Sequence, residues 1–386
     1  MANRTRTSLS AITCAALAAT AVAGTSLAQS PSVGGATGIS DAAKSHTFDW
    51  GTFTLAQRII DKAAAGEPLS IVIDTQGTAI PVFGAEQALG TARGCTNNTT
   101  GLAATCSLKG PATTDQIAQL TELQAMLVAD QVDCLGLQSP LPDAFLDIIN
   151  QYVDAGIPVF TENTDVANSK RFAFFALNEK DSGKANGITT ANLVKAQSLP
   201  IDTIALGSGG PSGPWAQDRM AGFIEGFKTV YPDAKFAQDD KSGLPIGSPD
   251  YTLQQAIEQA GPYLQGNANV NLFFHTDQGV EGVATVIEQQ GKTGTAWTSG
   301  FNVSLPILDF IDKGIILTTI NQGFDNQAEA AVNACLTYLT TGTLPPDPLA
   351  YLQPVIITKD GGDGMQSSAD ARAHLMSIMG GGSAAP

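Results

Sequence analysis

The chain has 386 residues, an apolar fraction of 43% and a formal charge of −16. That length is enough for two lobes of roughly 150 residues, each with its own core. So acidic a surface repels nucleic acid and anionic lipid, so neither is expected as a partner.

The first 28 residues read as an export segment. Arg4 and Arg6 form a basic start, Ala11 to Gly24 an apolar run, and Ser26-Leu27-Ala28 a small-x-small cleavage site. Cleavage near Ala28 implies a periplasmic protein, removes Cys14, and takes away two arginines and no acid, making the mature chain more acidic still. No later stretch reaches the apolar length of a membrane span, so direct membrane insertion is not expected.

Residues 29–47 are rich in Ser, Gly and Ala and are expected to be a flexible tail. Phe53 to Ala65 has Leu55, Ile59 and Ile60 at helical spacing. Leu69 to Ile73 reads as the first core strand, ending in Asp74-Thr75-Gln76-Gly77-Thr78, and Pro81-Val82-Phe83 opens a helix. Cys95 and Cys106 flank a short polar segment, and in an oxidising compartment they are expected to form a disulfide. A long helix follows from Thr114, with Ile117, Leu120, Leu123, Leu127 and Val128 inward.

Val132 to Val166 has the grammar of a strand–helix–strand unit. A short apolar run ends at Gln138-Ser139, and Pro140 and Pro142 pre-set a helix carrying Phe145, Ile148, Ile149, Tyr152 and Val153. Gly156 stops that helix, and Ile157 to Phe160 form a strand ending in Thr161-Glu162-Asn163-Thr164-Asp165. Parallel pairing is the default for such a unit. Arg171 to Leu177 and Thr203 to Leu206 are further strands, the second running into a Gly-rich loop that ends at Trp215. Residues 232–250 read as a polar loop. Val270 to Asn302 repeats the unit, with strand ends at His275-Thr276-Asp277-Gln278 and Gly300-Phe301-Asn302. Ile315 to Ile320 ends at Asn321-Gln322, a helix covers Gln327 to Thr340, and Val355 to Thr358 is a last strand. Strand and helix alternate throughout, which is the α/β class. In such sheets ligands bind beyond the carboxyl ends of the strands.

Signatures of common enzymes are missing. Gly291-Lys292-Thr293 follows a helix and lacks the upstream glycine of a phosphate loop, Ser212 stands where a dinucleotide fingerprint needs glycine, and no Gly-x-Ser-x-Gly occurs. Asp360 to Gly364 lacks the spacing of a calcium loop. No C-x-x-C is present and His46, His275 and His374 are scattered, so no metal or other cofactor is expected. Cys134 and Cys335 lie in apolar runs and are expected to be small buried hydrophobes.

Over roughly residues 70–358 the chain resembles the type I periplasmic solute-binding proteins, the ribose- and galactose-binding group of sugar ABC transporters. The likeness is carried by Val132 to Leu137, Gly156-Ile157-Pro158-Val159, Arg219-Met220-Ala221-Gly222-Phe223, Thr276 to Gly282, Gly300-Phe301-Asn302 and Thr318 to Gln322. The resemblance implies two doubly wound parallel-sheet lobes joined by a three-crossing hinge. The N-terminal lobe is expected at 48–173 plus 324–352, the C-terminal lobe at 174–323 plus 353–372, and a tail at 373–386. It implies ligand contacts at Phe83, Asn163, Thr164, Trp215, Arg219, Asp277, Asn302 and Gln322. Thr276, Thr164 and Asn302 depart from the residues usual in that family, which argues against a common hexose or ribose.

Asp, Asn, Gln and Arg suit vicinal hydroxyls, and Phe83 and Trp215 suit an apolar sugar face. Structural roles stay open beside these. Arg219 could pair with an acid of its own lobe, Trp215 could anchor a loop, and Asp277 could cap a helix. The resemblance implies a monomer that takes a small sugar or polyol to a membrane ABC permease and is not an enzyme. Two alternatives are a ligand-presenting receptor subunit for a membrane sensor and, further off, an exported hydrolase.

Overall fold

The computed structural model describes residues 38–237 and 253–381. The expected export segment lies outside these residues, as do 29–37 of the expected tail and most of the 232–250 loop.

In chain order, a short helix α1 (Asp41–Lys44) leads into the hairpin β1 (Ser45–Phe48) and β2 (Gly51–Thr54), then α2 (Gln57–Ala64). Next come β3 (Leu69–Asp74), α3 (Pro81–Thr96), β4 (Ala104–Lys109), α4 (Gln116–Val128), β5 (Cys134–Gln138), α5 (Pro142–Asp154), β6 (Val159–Glu162) and β7 (Ala173–Leu177). The chain continues through α6 (Glu179–Ala196), β8 (Thr203–Gly207), α7 (Pro214–Val230), β9 (Lys235–Phe236), α8 (Leu253–Gly266), β10 (Val270–His275), α9 (Gly279–Gln289), β11 (Trp297–Phe301), α10 (Leu305–Asp312) and β12 (Ile316–Asn321). It ends with α11 (Phe324–Thr341), β13 (Leu349–Leu352), β14 (Val355–Thr358), β15 (Gln366–Ser367) and α12 (Ser368–Gly381).

The strands build two lobes. One sheet has the order β13-β7-β6-β5-β3-β4 and the other β15-β14-β12-β11-β10-β8-β9. Pairing is parallel throughout except between β12 and β14. The five strands β3 to β7 take the same places in the first sheet as β8 to β12 take in the second, so the lobes repeat one plan. The chain passes between the sheets three times: after β7, after β12, and between β13 and β14.

Each sheet is covered on both faces, which is why its central strands read as unbroken apolar runs. In β5 and β7 every residue is buried. The helix α5 turns Phe145, Ile149 and Tyr152 inward, and the Tyr152 hydroxyl donates to the Leu123 carbonyl at 2.7 Å. Gly156 ends it at φ +77°, where a Cβ would stand 2.5 Å from the Ala56 nitrogen. Glycine is required there for both reasons.

Four expectations need correction. Ile117 and Val128, expected inward on α4, are exposed, because Gln119, Leu123 and Met126 take the buried face and Leu120 and Leu127 only flank it. Phe53 is in the hairpin, and the helix starts only at Gln57. Thr47, Thr52 and Thr54 favour an extended chain, and the ring of Phe48 stacks on Trp50 at 4.6 Å. The expected tail 29–47 is built into the fold from residue 40. Ala43 is fully buried, Ser40 donates its N–H to the Leu339 carbonyl, and the Tyr338 hydroxyl donates to the Ala43 carbonyl at 3.1 Å. The expected tail 373–386 is helical to Gly381, because Ala371, Leu375 and Ile378 recur on one face and are buried.

Among the described residues the cysteines form two pairs at disulfide distance, Cys95 with Cys106 and Cys134 with Cys335. The first agrees with expectation. The second was not foreseen, since Cys134 and Cys335 were expected only to be small buried hydrophobes. Both are buried as expected, but α11 lies on β5 and brings together sulfurs 201 residues apart. Non-reducing peptide mapping should recover both linkages. Replacing Cys134 and Cys335 by Ala should cost about 2–4 kcal/mol of stability. Free thiols at 134 and 335 would contradict the pairing.

Candidate functional site

The site grows from the carboxyl ends of the two sheets. In the C-terminal lobe its centre is Arg219, on α7. This helix packs very closely on α6 through glycines: a Cβ on Gly183 would lie 2.3 Å from the Arg219 carbonyl oxygen. The close approach sets Glu179, at the start of α6, beside the guanidinium. Nε donates to Glu179 Oε2 at 2.5 Å and Nη2 to Oε1 at 2.9 Å. Nη1 donates to the Thr276 carbonyl at 2.7 Å, and Nη2 also donates to Gln322 Oε1 at 2.7 Å. The Gln322 amide donates to Asn302 Oδ1 at 2.5 Å. The rings of Phe301 and Trp215 lie 4.1 and 5.1 Å from the Arg219 Cζ. A buried cation needs such compensation, since an unpaired one costs several kcal/mol. Of its five N–H groups, one on Nη1 remains.

Asp277 stands at the end of β10 with its carboxylate turned to backbone. Oδ2 accepts from the Gly209 N–H at 2.6 Å and from the Thr276 hydroxyl at 3.1 Å, and Oδ1 accepts from the Gly279 N–H at 3.1 Å. His275 Nδ1 lies 3.3 Å from Oδ1. Burial by itself would raise the Asp277 pKa, but His275 and the two backbone donors outweigh it and hold the carboxyl below the usual range. Asp277 therefore shapes the Gly-rich loop after β8 and the start of α9.

In the N-terminal lobe the strand ends carry Asp74, Gln138 and Glu162, all fully buried. The Gln119 amide donates to Asp74 Oδ1 at 2.7 Å, the Thr75 hydroxyl to Gln138 Oε1 at 2.9 Å, and the Gln87 amide to Glu162 Oε2 at 2.9 Å. Burial pushes Asp74 and Glu162 up to about 8, helped in Glu162 by the Asp74 charge; in Asp74 the Gln119 amide opposes the rise. Glu86 on α3 also rises to about 8, through burial and the Asp325 charge. Asp165 is held in a two-pronged pair with Arg171, Nη2 to Oδ2 at 2.6 Å.

The eight expected contact residues fall into two groups. Trp215, Arg219, Gln322 and Asn302 form one connected set in the C-terminal lobe, with Asp277 next to it through Thr276. Phe83, Asn163 and Thr164 belong to the other lobe. Phe83 is half-buried in the first turn of α3, with its ring 5.1 Å from that of Phe324. The Thr164 carbonyl accepts from the Ser139 hydroxyl at 3.4 Å.

Asn163 and Asn302 correspond. Asn163 follows β6 at φ +63° and Asn302 follows β11 at φ +75°. Their N–H groups donate to Phe175 and Ile320, on β7 and β12, at 3.1 and 2.8 Å. The left-handed region is uncommon for a non-glycine residue, and such conformations gather at functional sites.

Residues 77–343 match the periplasmic binding protein domain. The chain belongs to that family. Among solved structures, a sugar-binding protein of a sugar ABC transporter from Bacillus halodurans is 22% identical with a TM-score of 0.63, covering 77% of this chain and 100% of its own. An arabinose-binding protein from Geobacillus stearothermophilus is 20% identical with a TM-score of 0.64, covering 76% and 97%. A glucose-galactose-binding protein from the same organism is 21% identical with a TM-score of 0.59, covering 76% and 98%. No curated protein matches in sequence. The fold is therefore the two-lobed, type I arrangement of a solute-binding family. Among the described residues, no helix is long and apolar enough to cross a membrane, and no cluster of His, Cys, Asp or Glu could hold a metal ion.

The sequence did not show the buried polar layer of Gln87, Gln119 and Gln138; it left open an acid partner for Arg219 in its own lobe, which is Glu179, without naming that residue. An acid directly after the Asn178 strand end was the one available signal for the latter.

The raised carboxyls have a consequence for stability. Unfolded carboxyls titrate near about 4. Between there and about 8 the folded state binds more protons, so stability must fall as pH rises. Asp277 acts in the opposite sense, but only below about pH 4. Urea midpoints should therefore be lower at about pH 8.5 than at about pH 5.5, and Glu162→Gln should flatten part of that slope. A midpoint that rises across this range would contradict the assignment.

Proposed function

We propose that the protein captures a small sugar or polyol between its lobes and delivers it to the membrane permease of an ABC importer. The observation that carries this reading is the pair Asn163 and Asn302: one strained amide at the same strand end of each lobe. Family membership supports it, and so do the neighbours described as binding arabinose, glucose or galactose.

In this reading Phe83, Asn163 and Thr164 contact one side of the solute, and Trp215, Asn302 and Gln322 the other. Arg219 contributes its remaining Nη1 N–H, and Asp277 supports the loop that carries Trp215. A solute bridging both sets gains its full contacts only when the hinge closes, so binding shifts the equilibrium toward closure. The work is capture and release, and no step requires an acid, base or nucleophile. Export by a cleaved signal segment, action as a periplasmic monomer and oxidised cysteine pairs belong to the same proposal.

Calorimetry on a carbohydrate and polyol panel tests it. Glycine is the right replacement at 163 and 302, because it removes the amide while tolerating the left-handed backbone. Asn163→Gly and Asn302→Gly should each weaken binding by about 1–3 kcal/mol, as a buried ligand hydroxyl loses a partner. Circular dichroism should stay unchanged. Unaltered affinity in both variants would place the solute elsewhere.

A further inference from the structure

We propose that the outward face of α4 is a docking surface for a polypeptide partner that presents an apolar helix face flanked by lysine or arginine. The proposal is independent of what the cleft holds.

Helix α4 lies on the flank of the first lobe and runs from the carboxyl end of β4 back to the amino end of β5. A helix in such a place normally turns charged residues to water. Here Ile117, Leu120, Thr121, Gln124, Ala125 and Val128 form one continuous, mostly apolar surface. Ile117 and Val128 are each 77% exposed, more than any other large apolar side chain among the described residues. Both are β-branched, so they weaken the helix slightly and gain nothing by burial.

The second lobe supplies a comparison within the molecule. There α8, between β9 and β10, takes the place that α4 takes between β4 and β5. Its exposed residues include Gln254, Glu258, Pro262 and Gln265, and none is a large apolar side chain. The shared plan of the lobes therefore does not require an apolar outer face at α4.

Charge narrows the choice of partner. Residues 110–169 contain Asp and Glu but no Lys or Arg. Gln119 of α4 donates to the Gln138 carbonyl at 2.9 Å, which sets the head of α5 beside the head of α4. Asp115 before α4, and Asp143 and Asp147 on α5, are exposed. The cations Arg58 and Lys170 are already taken, by Asp130, Asp133 and Asp154. An apolar stripe among unneutralised acids disfavours a second copy docking face to face. It favours an opposite charge around complementary apolar anchors. With 13 residues α4 is about 20 Å long, room for three to four turns of a helix laid along it.

The start of the described chain lies on the other side of this sheet. A Cβ on Gly136 would meet both Ile73 and Ala331 of α11, whereas the next residue of β3, Asp74, accepts from Gln119 of α4. Successive strand residues point to opposite faces, so α11 and α4 cover opposite faces. Ser40 is bound to Leu339, on α11.

The test uses a synthetic helical peptide of about 14 residues, with leucine every three or four positions and lysines on both flanks, titrated against the whole protein by fluorescence anisotropy. It should bind with micromolar affinity and more weakly at high salt. The double variant Ile117→Ser, Val128→Ser should bind at least about tenfold more weakly, as a central apolar anchor is lost. Asp143→Asn with Asp147→Asn should weaken binding at least about threefold, and a peptide with glutamate in place of lysine at least about tenfold. Asp360→Asn with Asp363→Asn, exposed acids of the second lobe, should leave binding unchanged.

A peptide that does not bind overturns the proposal. So does binding that the serine variant leaves unmoved, or that the glutamate peptide matches. A wild-type dimer in sedimentation that the serine variant makes monomeric overturns it too, because a second copy is then the occupant. Should the serine variant not fold, Gln124→Lys with Ala125→Lys, which places cations on the same exposed face, must abolish binding instead.

Discussion

The buried pair between Arg219 and Glu179 is the contact on which the arrangement of strand ends in the C-terminal lobe depends. Glu179 comes directly after the first crossing between lobes, and Gln322 lies in the second. Thr276 ends β10. A single guanidinium therefore ties two hinge segments and one strand end to α7, and through Gln322 it positions Asn302. A lysine could not do this, because one point charge lacks the planar fork that reaches several acceptors at once. The helix contact that makes it possible is set further back in the chain, at Gly183 and Gly187 on α6 and Gly222 and Gly226 on α7, where backbones approach too closely for any Cβ.

The N-terminal lobe solves the same problem differently. Arg171 takes up Asp165 beyond β6, but Asp74 and Glu162 are buried among glutamine amides, with no cation bonded to them among the described residues. Asp74 with Gln119 and Glu162 with Gln87 hold the ends of β3 and β6 in place, while Asn163 beyond β6 takes the left-handed turn. The two lobes thus share strand order and the conformation of one asparagine, and differ in how charge is removed from behind it. That difference gives the lobes different responses to pH: the first loses stability as its carboxyls ionise, whereas in the second the Asp277 carboxylate supports the fold until it protonates.

Much of this was legible in the sequence. Short apolar runs ending in polar residues gave the strands, Gly156 ended its helix as expected, and the order of the units gave two lobes. The hairpin at Ser45–Thr54 was hidden because Leu55, Ile59 and Ile60 fit a helical face and Phe53 was read into the same helix. The terminal helix was hidden because glycines surround it. The partner of Arg219 and the mate of Cys134 were hidden for one shared reason. Both depend on which helix packs on which strand after the chain has crossed between lobes, and a periodic pattern states only that a residue faces inward, not what it faces. Asp277 shows the same limit at a single position, since an acid at a strand end looks alike whether it meets a solute or two backbone N–H groups.

The most direct test of this account is a double-mutant cycle on Arg219 and Glu179, read by urea unfolding of Arg219→Met, Glu179→Leu and the double variant. Removing either partner alone leaves a buried charge and should cost about 3–5 kcal/mol. Removing both should cost clearly less than the two single losses together, with a coupling of at least about 1.5 kcal/mol. Losses that add would mean that the guanidinium is not neutralised by Glu179 and would contradict the account.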